Sequence, residues 1–283
     1  MRISLAVPDL ADVPARKLEI RRDDACVSCG GGLAAGTAAW WDPEGRTITC
    51  MPCWDGADTS PRPAQPPLQL GDPGASLMRE HERRRRNREQ RTREAHPRIG
   101  GLLLALQGAP QHESAFHQGA LGERAVADSL AIRTDSDRII TLHNRRMPAG
   151  RGDIDHLAIA PTGVWVIDTK DWKGKVEISA PWFGTPRLLI RGRDSTKLID
   201  GLERQIAAVR AAFDGGGYQE IPVRGALCFT KADLPFLRSQ AFRGHLLLYG
   251  RALAKQLNAD GPLSAASIEQ LARHLATLLP PAS

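Results

Sequence analysis

The stretch GDIDHLAIAPTGVWVIDTKDWKG, Gly152 to Gly174, restricts the fold more than any other part of the sequence. Two apolar runs flank a Pro-Thr-Gly turn, which is the pattern of a β-hairpin, and a hairpin this apolar belongs inside a sheet. Yet one run contains Asp155 and the other ends in Asp168-Thr169-Lys170. Charges in a buried sheet are unfavourable unless something pairs with them. Residues two apart on a strand share a face, so Asp168 and Lys170 project together with Val164 and Val166, and Asp153, Asp155, Leu157 and Ile159 form one face of the partner strand. A carboxylate from each strand can then meet beside an ammonium. Oxygen ligands of this kind suit Mg2+ or Mn2+, and an adjacent lysine can orient water or stabilise charge on a phosphate. Together they are the equipment of metal-dependent phosphodiester hydrolysis. The plainer alternative is a structural ion pair between Asp168 and Lys170 at a strand end.

Two helical stretches add polar groups where apolar ones are expected. In HQGALGERAVADSL, Glu123 shares a helical stripe with Val126, Ala127 and Leu130; in STKLIDGLERQIAAVRAAF, Gln205 lies on the stripe of Leu198, Leu202 and Val209. Around them the order reads helix (Phe116–Leu130), strand (Arg138–His143), the hairpin, strands through Val176 and Leu188–Ile190, helix (Ser195–Phe213), strands Val223–Thr230 and His245–Tyr249, then helices including Ser267–Leu279. Such alternation predicts an α/β domain with a central sheet over about 115–280. His156 points away from the acids by alternation and reads as a packed histidine. Cys228, within GALCFT, reads as a buried apolar thiol.

The front of the chain is different. Cys26-Val-Ser-Cys29 and Cys50-Met-Pro-Cys53 are two CxxC pairs separated by 20 residues. The runs TAAWW and RTITC around Asp42-Pro-Glu-Gly45 supply a hairpin between them. Four thiolates can converge tetrahedrally on one Zn2+, so residues 20–58 read as a structural zinc ribbon. Disulfides are the rival reading, but nothing in the sequence points to an oxidising compartment. The Pro-rich stretch 59–76 reads as a linker and 77–98 as a basic helix. From Arg79 to Arg98 there are nine arginines against four glutamates, close to the whole of the chain's net charge of +6. Arg83, Arg84, Arg85 and Arg86 are candidate phosphate contacts. The competing reading is a solvated helix with internal pairs, since Glu80–Arg84, Glu82–Arg86 and Glu89–Arg93 have the favourable i,i+4 order, leaving Arg83 and Arg85 unpaired. No apolar run is long enough to cross a bilayer and the N-terminus lacks a signal-peptide pattern, so a soluble cytoplasmic protein without a membrane partner is expected.

Gly122-Glu123, the Asp153–His156 tetrapeptide DIDH, GVWVIDTK (Gly163–Lys170), the following WKG and the helix bearing Gln205 together resemble the nuclease-related domain, NERD, a branch of the PD-(D/E)xK nuclease superfamily. The resemblance covers about Phe116 to Tyr249. With the cysteine block in front, the chain is similar to actinobacterial-type NERD proteins with an N-terminal zinc ribbon. It implies a three-layer α/β/α, restriction-endonuclease-like core. It also implies that Glu123, Asp155, Asp168 and Lys170 take the acidic and lysine positions of the nuclease site, and that Gln205 takes the glutamine of the following helix. Asp155 and Asp168 would be the ligands of a catalytic Mg2+ or Mn2+, and DNA the expected substrate. Two departures stand out: no proline precedes Asp155, and the second acid is an aspartate rather than the commoner glutamate. The alternative function is a catalytically inactive module that binds nucleic acid or protein through the ribbon and the arginine helix.

Overall fold

The computed structural model describes residues 15–43, 45–55, 66–106, 111–148, 152–235 and 240–282, without the side chains of 111–113. It divides into two compact units, Met1–Pro67 and Leu68–Ser283.

The first unit contains β1 (Arg16–Glu19), β2 (Asp24–Ala25), β3 (Gly32–Leu33), β4 (Ala38–Asp42), β5 (Thr47–Cys50) and the single turn α1 (Met51–Trp54). The strands β1, β4 and β5 form an antiparallel sheet, and β2 pairs with β3 in a small hairpin. The buried apolar residues number few beyond the cysteines themselves: Ile20 and Ala39 join Cys26, Cys50 and Cys53. Trp40 stacks on Trp54 with ring centroids 4.4 Å apart. A block this small cannot hold its strands together by apolar burial alone.

The second unit begins with three helices, α2 (Ala75–Ala95), α3 (Gly100–Leu106) and α4 (Gln111–Arg133). Next come β6 (Ile140–Arg146), β7 (Asp153–Ala160), the long β8 (Gly163–Ser179), β9 (Arg187–Ile190) and β10 (Arg193–Asp194). Then follow α5 (Lys197–Ala211), β11 (Val223–Asp233), β12 (Gln240–Phe242), β13 (His245–Tyr249), α6 (Gly250–Leu257) and α7 (Ala265–Leu278). The antiparallel meander β6-β7-β8 continues into parallel β11 and β13, and β12 closes the edge antiparallel.

Alternation along the central strands builds two apolar layers. Leu157, Ile159, Val164, Val166, Leu227 and Phe229 pack with Ile199, Leu202 and Val209 of α5 and Leu271 and Leu275 of α7. Their neighbours Ala158, Ala160, Trp165, Ile167, Ala226 and Cys228 pack with Val126 and Leu130 of α4 and Leu253 and Leu257 of α6. The sheet is therefore covered on both faces, the α/β/α sandwich expected from the sequence. Cys228 is fully buried, as expected, and burial pushes its thiol up to about 12. Among the described residues no helix is long and apolar enough to cross a membrane.

The expected linker needs correction. Residues 59–65 lie outside the described residues, but Leu68–Gly74 belongs to the second unit. Leu68 packs against the core, and the Leu70 carbonyl accepts from the His143 N–H at 2.6 Å. Buried Arg145 donates from its guanidinium to the carbonyls of Gln69 (2.9 Å), Leu279 (2.7 Å) and Ala276 (3.1 Å), which ties this strap to the end of α7. The strap's prolines and glycines look structureless because its partners are distant in sequence and mostly backbone atoms. The sequence also divided β8 at Lys170, whereas it runs on to Ser179 and pairs with β9 along its second half.

Candidate active site

The hairpin forms as expected, with Ala160 opposite Gly163 and His156 opposite Ile167. One step further along that register Asp155 faces Asp168, at the point where the regular pairing of β7 with β8 stops. Asp155 spans the gap differently from a ladder residue: its Oδ2 accepts from the Thr169 backbone N–H at 2.7 Å. Lys170 Nζ donates to Asp168 Oδ1 and to the Thr169 carbonyl at 3.3 Å. β8 stays parallel to β11 on its other side, with Asp168 beside Leu227 and Lys170 beside Phe229. Immediately beyond, the register slips between Phe229 and Lys231, so β8 carries one extra residue there. Such bulges re-aim side chains and end regular pairing.

From the helical layer, α4 brings Glu123 to the same place. The stripe that holds Val126 and Leu130 against the sheet also buries Glu123. Gly122 makes the approach possible, because a Cβ there would lie 2.7 Å from Cβ of Asp171. Glu123 Oε2 accepts from the Gly74 N–H at 2.9 Å. Gly74 adopts φ 73°, and a Cβ on it would lie 2.6 Å from the Ala120 carbonyl oxygen. Only glycine combines that conformation with that approach. This strap contact is a part of the site that sequence reasoning missed; its one signal was the pair of glycines in Gly71-Asp-Pro-Gly74.

The four side chains act on one another's charge. Burial raises the Glu123 carboxyl to about 7; the Gly74 N–H and Lys170 oppose the rise, and Asp168 and Asp153 add to it. Burial, then the charges of Glu123 and Asp168, hold Asp155 well above the usual carboxylate range despite Lys170 and the Thr169 N–H. For Lys170 burial acts downward, but Asp168, Asp155 and Glu123 outweigh it and the ammonium is stabilised. The structure thus brings Glu123, Asp155, Asp168 and Lys170 together. Gln205 is placed at the start of β7, where its Nε2 donates to the Asp153 carbonyl at 3.3 Å and its buried Oε1 has no hydrogen-bond partner among the described residues. Asp171 was not anticipated: it accepts from the Thr230 hydroxyl and from Lys231 Nζ at 2.7 Å.

Three carboxylates suit a hard cation in their chemistry, but their oxygens are not gathered within 4.8 Å of one another as the cysteine sulfurs are. Glu123 is held through Oε2, Asp155 through Oδ2 and Asp168 through Oδ1, which leaves each acid one uncommitted oxygen. His156 takes no part; it is fully buried with its Nδ1 2.8 Å from Nδ1 of His143, and burial and that neighbour keep it well below its usual pKa.

The cysteines fare as expected from their spacing. The sulfur atoms of Cys26, Cys29, Cys50 and Cys53 all lie within 4.8 Å of one another, and all four thiols are free of disulfides. Among the described residues this is the one group of three or more His, Cys, Asp or Glu ligand atoms gathered so closely. Backbone N–H groups point at the sulfurs, Cys50 to Cys26 Sγ at 3.2 Å and Gly31 to Cys29 Sγ at 3.4 Å. Burial pushes Cys26 up, but N–H donors led by Cys50 more than offset it and hold the thiol at about 6. Cys50 is raised by burial, and Cys53 is raised by its contact with Cys50 and then by burial. Four sulfur atoms at this separation could hold one cation, and a soft four-sulfur donor set fits zinc.

The arginine helix is α2, and its pairing corrects the sequence reading. Arg83 and Arg84 both bind Glu80, Arg83 through two hydrogen bonds of 2.8 Å, and Arg85 binds Glu89 at 3.0 Å. Arg83 and Arg85 are therefore paired rather than free, because a glutamate can fold back to i+3 or be reached from i−4 as readily as from the expected i+4. Arg84 also lies over the Phe116 ring, 4.5 Å from its centroid. Arg86 is exposed and has no acidic partner among the described residues.

No curated protein and no solved structure matches this chain. Residues 118–230, which run from α4 into β11 and enclose Glu123, Asp155, Asp168, Lys170 and Gln205, match the family model of the nuclease-related domain (NERD). The matched segment is nuclease-related, and a four-cysteine module precedes it in sequence.

Proposed function

We propose that the domain is a Mg2+- or Mn2+-dependent nuclease that hydrolyses phosphodiester bonds in DNA. The observation that carries this reading is the convergence of three carboxylates and one ammonium from α4, β7 and β8 at the point where two strands part. Asp155 and Asp168 would hold the cation through their free oxygens, with Glu123 in support. When bound, the metal supplies Lewis acidity toward the phosphate and a more acidic coordinated water. Lys170, mostly buried beside Asp168, would stabilise charge that develops on the phosphate oxygens. The Thr169 N–H keeps Asp155 turned across the gap, and Gly74 does the same for Glu123. Gln205 anchors the start of β7 and presents its free amide oxygen beside it.

Zinc in the cysteine module is structural in this reading, since four cysteines close its coordination shell. Arg86, with the outer faces of Arg83, Arg84 and Arg85, would contact phosphates. A second reading rests on the direct Asp168–Lys170 pair, which already neutralises one ligand and suits a fold kept for binding alone.

A cleavage assay on DNA and RNA substrates with Mn2+, beside calorimetric metal titration, separates the two. The nuclease reading expects Asp168→Asn to lose cleavage and metal binding together, and Lys170→Ala to keep metal binding while turnover falls. Wild-type protein that neither binds the cation nor cuts any substrate returns the site to a structural ion pair.

A further inference from the structure

Beyond Lys170 the strand β8 runs on past the acids and pairs with β9, which pairs in turn with β10, to make an arm whose residues Val176, Leu188 and Ile190 stay buried in the core while its far connection is exposed. At about 3.3 Å per residue its end at Ser179 lies roughly 30 Å along the strand from Lys170. The connection at the tip is Ala180-Pro-Trp-Phe-Gly-Thr-Pro186. Trp182 is 93% exposed and Phe183 88%, while Trp165 in the core is 3% exposed. Neither tip ring stacks on another ring or on a cation among the described residues. Pro181 and Pro186 stiffen the loop, so the two rings are presented at little further cost in chain entropy. Large apolar groups held in water in this way, side by side and on a stiff loop, mark a contact surface.

The charges of the arm identify what that surface contacts. Each acid between Asp171 and Asp194 already has a cation: Asp171 has Lys231 (2.7 Å), Glu177 has Lys175 (2.7 Å) and Asp194 has Arg187 (3.7 Å). Among the described residues, exposed Lys173, Arg191 and Arg193 are left without an acid, and all are positive. Two free aromatic faces at the end of a cationic strand match a polyanion whose bases are unpaired. A duplex hides its base faces, and an acidic protein surface gives the rings nothing flat to stack on.

We infer that the β8–β9 arm grips single-stranded nucleic acid, with Trp182 and Phe183 stacking on bases and Lys173, Arg191 and Arg193 tracking the phosphates. This assigns the arm's partner and rests on the phosphodiester reading only in placing that strand along β8, the strand that bears Asp168 and Lys170. Base–aromatic stacking tolerates any sequence, so the arm supplies affinity without sequence choice.

The test is fluorescence anisotropy of labelled oligo(dT), oligo(U) and a blunt DNA duplex with the full zinc-loaded chain in buffer without Mg2+ or Mn2+. The single strands should bind more tightly than the duplex, and Trp182→Ala should weaken single-strand binding about tenfold, with Phe183→Ala similar. Replacing Lys173, Arg191 and Arg193 by glutamine should lower the slope of log affinity against log salt by about 2. Oligo(dT) against oligo(U) shows which sugar is accepted. Unchanged single-strand affinity in both aromatic variants overturns the proposal. So does loss of binding to phosphatidylserine vesicles in those variants while single-strand binding stays intact, which would make the arm a membrane contact. The two readings separate cleanly. Aromatic variants that bind normally beside an Asp168→Asn variant that cannot cut sink the arm alone. Lost single-strand binding in a protein that cuts nothing sinks the nuclease alone.

Discussion

The cysteine module and the carboxylate cluster each crowd groups that repel one another once ionised, and only the second contains its own cation. In the module, four sulfurs within 4.8 Å form most of the buried interior, with no lysine or arginine among the cluster. In the nuclease-related domain, Lys170 sits on Asp168 and two apolar layers surround the strands that bear the acids. The first site is therefore its own core and depends on what it binds. The second is a perturbation in a core whose apolar layers hold the strands without it.

Metal removal gives the largest contrast. Zinc bound by four cysteines contributes on the order of 10 kcal/mol to the folding of small domains. Chelation should therefore unfold residues 15–55 and erase the near-UV circular dichroism of the Trp40–Trp54 stack, while the α/β domain keeps its cooperative melt. A Cys26→Ser variant with an unchanged Trp signal would break the comparison.

Next in size is the effect on catalysis. Asp168→Asn should reduce cleavage at least a hundredfold, about 3 kcal/mol in the barrier, and leave the metal-free fold intact. Lys170→Ala should behave differently in stability as well as rate. It leaves Asp155, Asp168 and Glu123 facing one another without a cation, which should destabilise the metal-free domain by about 3 kcal/mol in urea denaturation. Mg2+ should recover much of that loss. Equal denaturation midpoints for wild type and Lys170→Ala would show that the ammonium is not the internal counter-ion.

A pH series sharpens the same point. Glu123 is raised from its usual 4.5 to about 7, so the folded domain holds this proton more tightly than the unfolded chain. Its contribution to stability is therefore greatest below pH 4.5, falls as pH rises toward 7 and is level above that. The whole change is on the order of 3 kcal/mol. Glu123→Gln should remove that part of the slope and stabilise the metal-free protein at pH 8. Because a cation must displace the proton, Mg2+ or Mn2+ affinity should climb over the same interval in the wild type. Identical stability-versus-pH curves for wild type and Glu123→Gln would remove Glu123 from the cluster.

The sequence disclosed those features whose cause is local. Alternation in β7 and β8 put Asp168 and Lys170 on one face, the helical stripe turned Glu123 inward, and the CxxC spacing gathered the thiols. What stayed hidden depends on distant partners. The Gly74 N–H on Glu123 and the carbonyls of Gln69, Ala276 and Leu279 on Arg145 are contacts to backbone, which names no partner in the sequence even where, as at Gly71 and Gly74, glycines mark the turn. A strap built from such contacts reads as linker. The extra residue of β8 opposite Thr230 was equally invisible, since a bulge is a mismatch between two strands and neither strand records it alone.

The smallest expected effect concerns the two basic regions, α2 and the β8–β9 arm. By residue count α2 is the stronger candidate for phosphate contacts, with Arg83–Arg86 in a row. Pairing reverses the order. Among the described residues Glu80 takes Arg83 and Arg84, Glu89 takes Arg85, and only Arg86 of the four lacks an acid, whereas Lys173, Arg191 and Arg193 on the arm have no acidic partner. Counterion release depends on the phosphates actually neutralised, and an arginine already held by a glutamate must give up that pair to contribute. Exposed pairs of this kind are worth about 0.2–1 kcal/mol each, so the glutamines should barely alter the melting temperature. Replacing Arg83 to Arg86 together should therefore flatten the salt slope of single-strand binding by less than about 1, against about 2 for the three arm residues. A larger flattening from the helix than from the arm would show that Glu80 and Glu89 release their arginines on contact with nucleic acid, and that α2 is the main electrostatic surface after all.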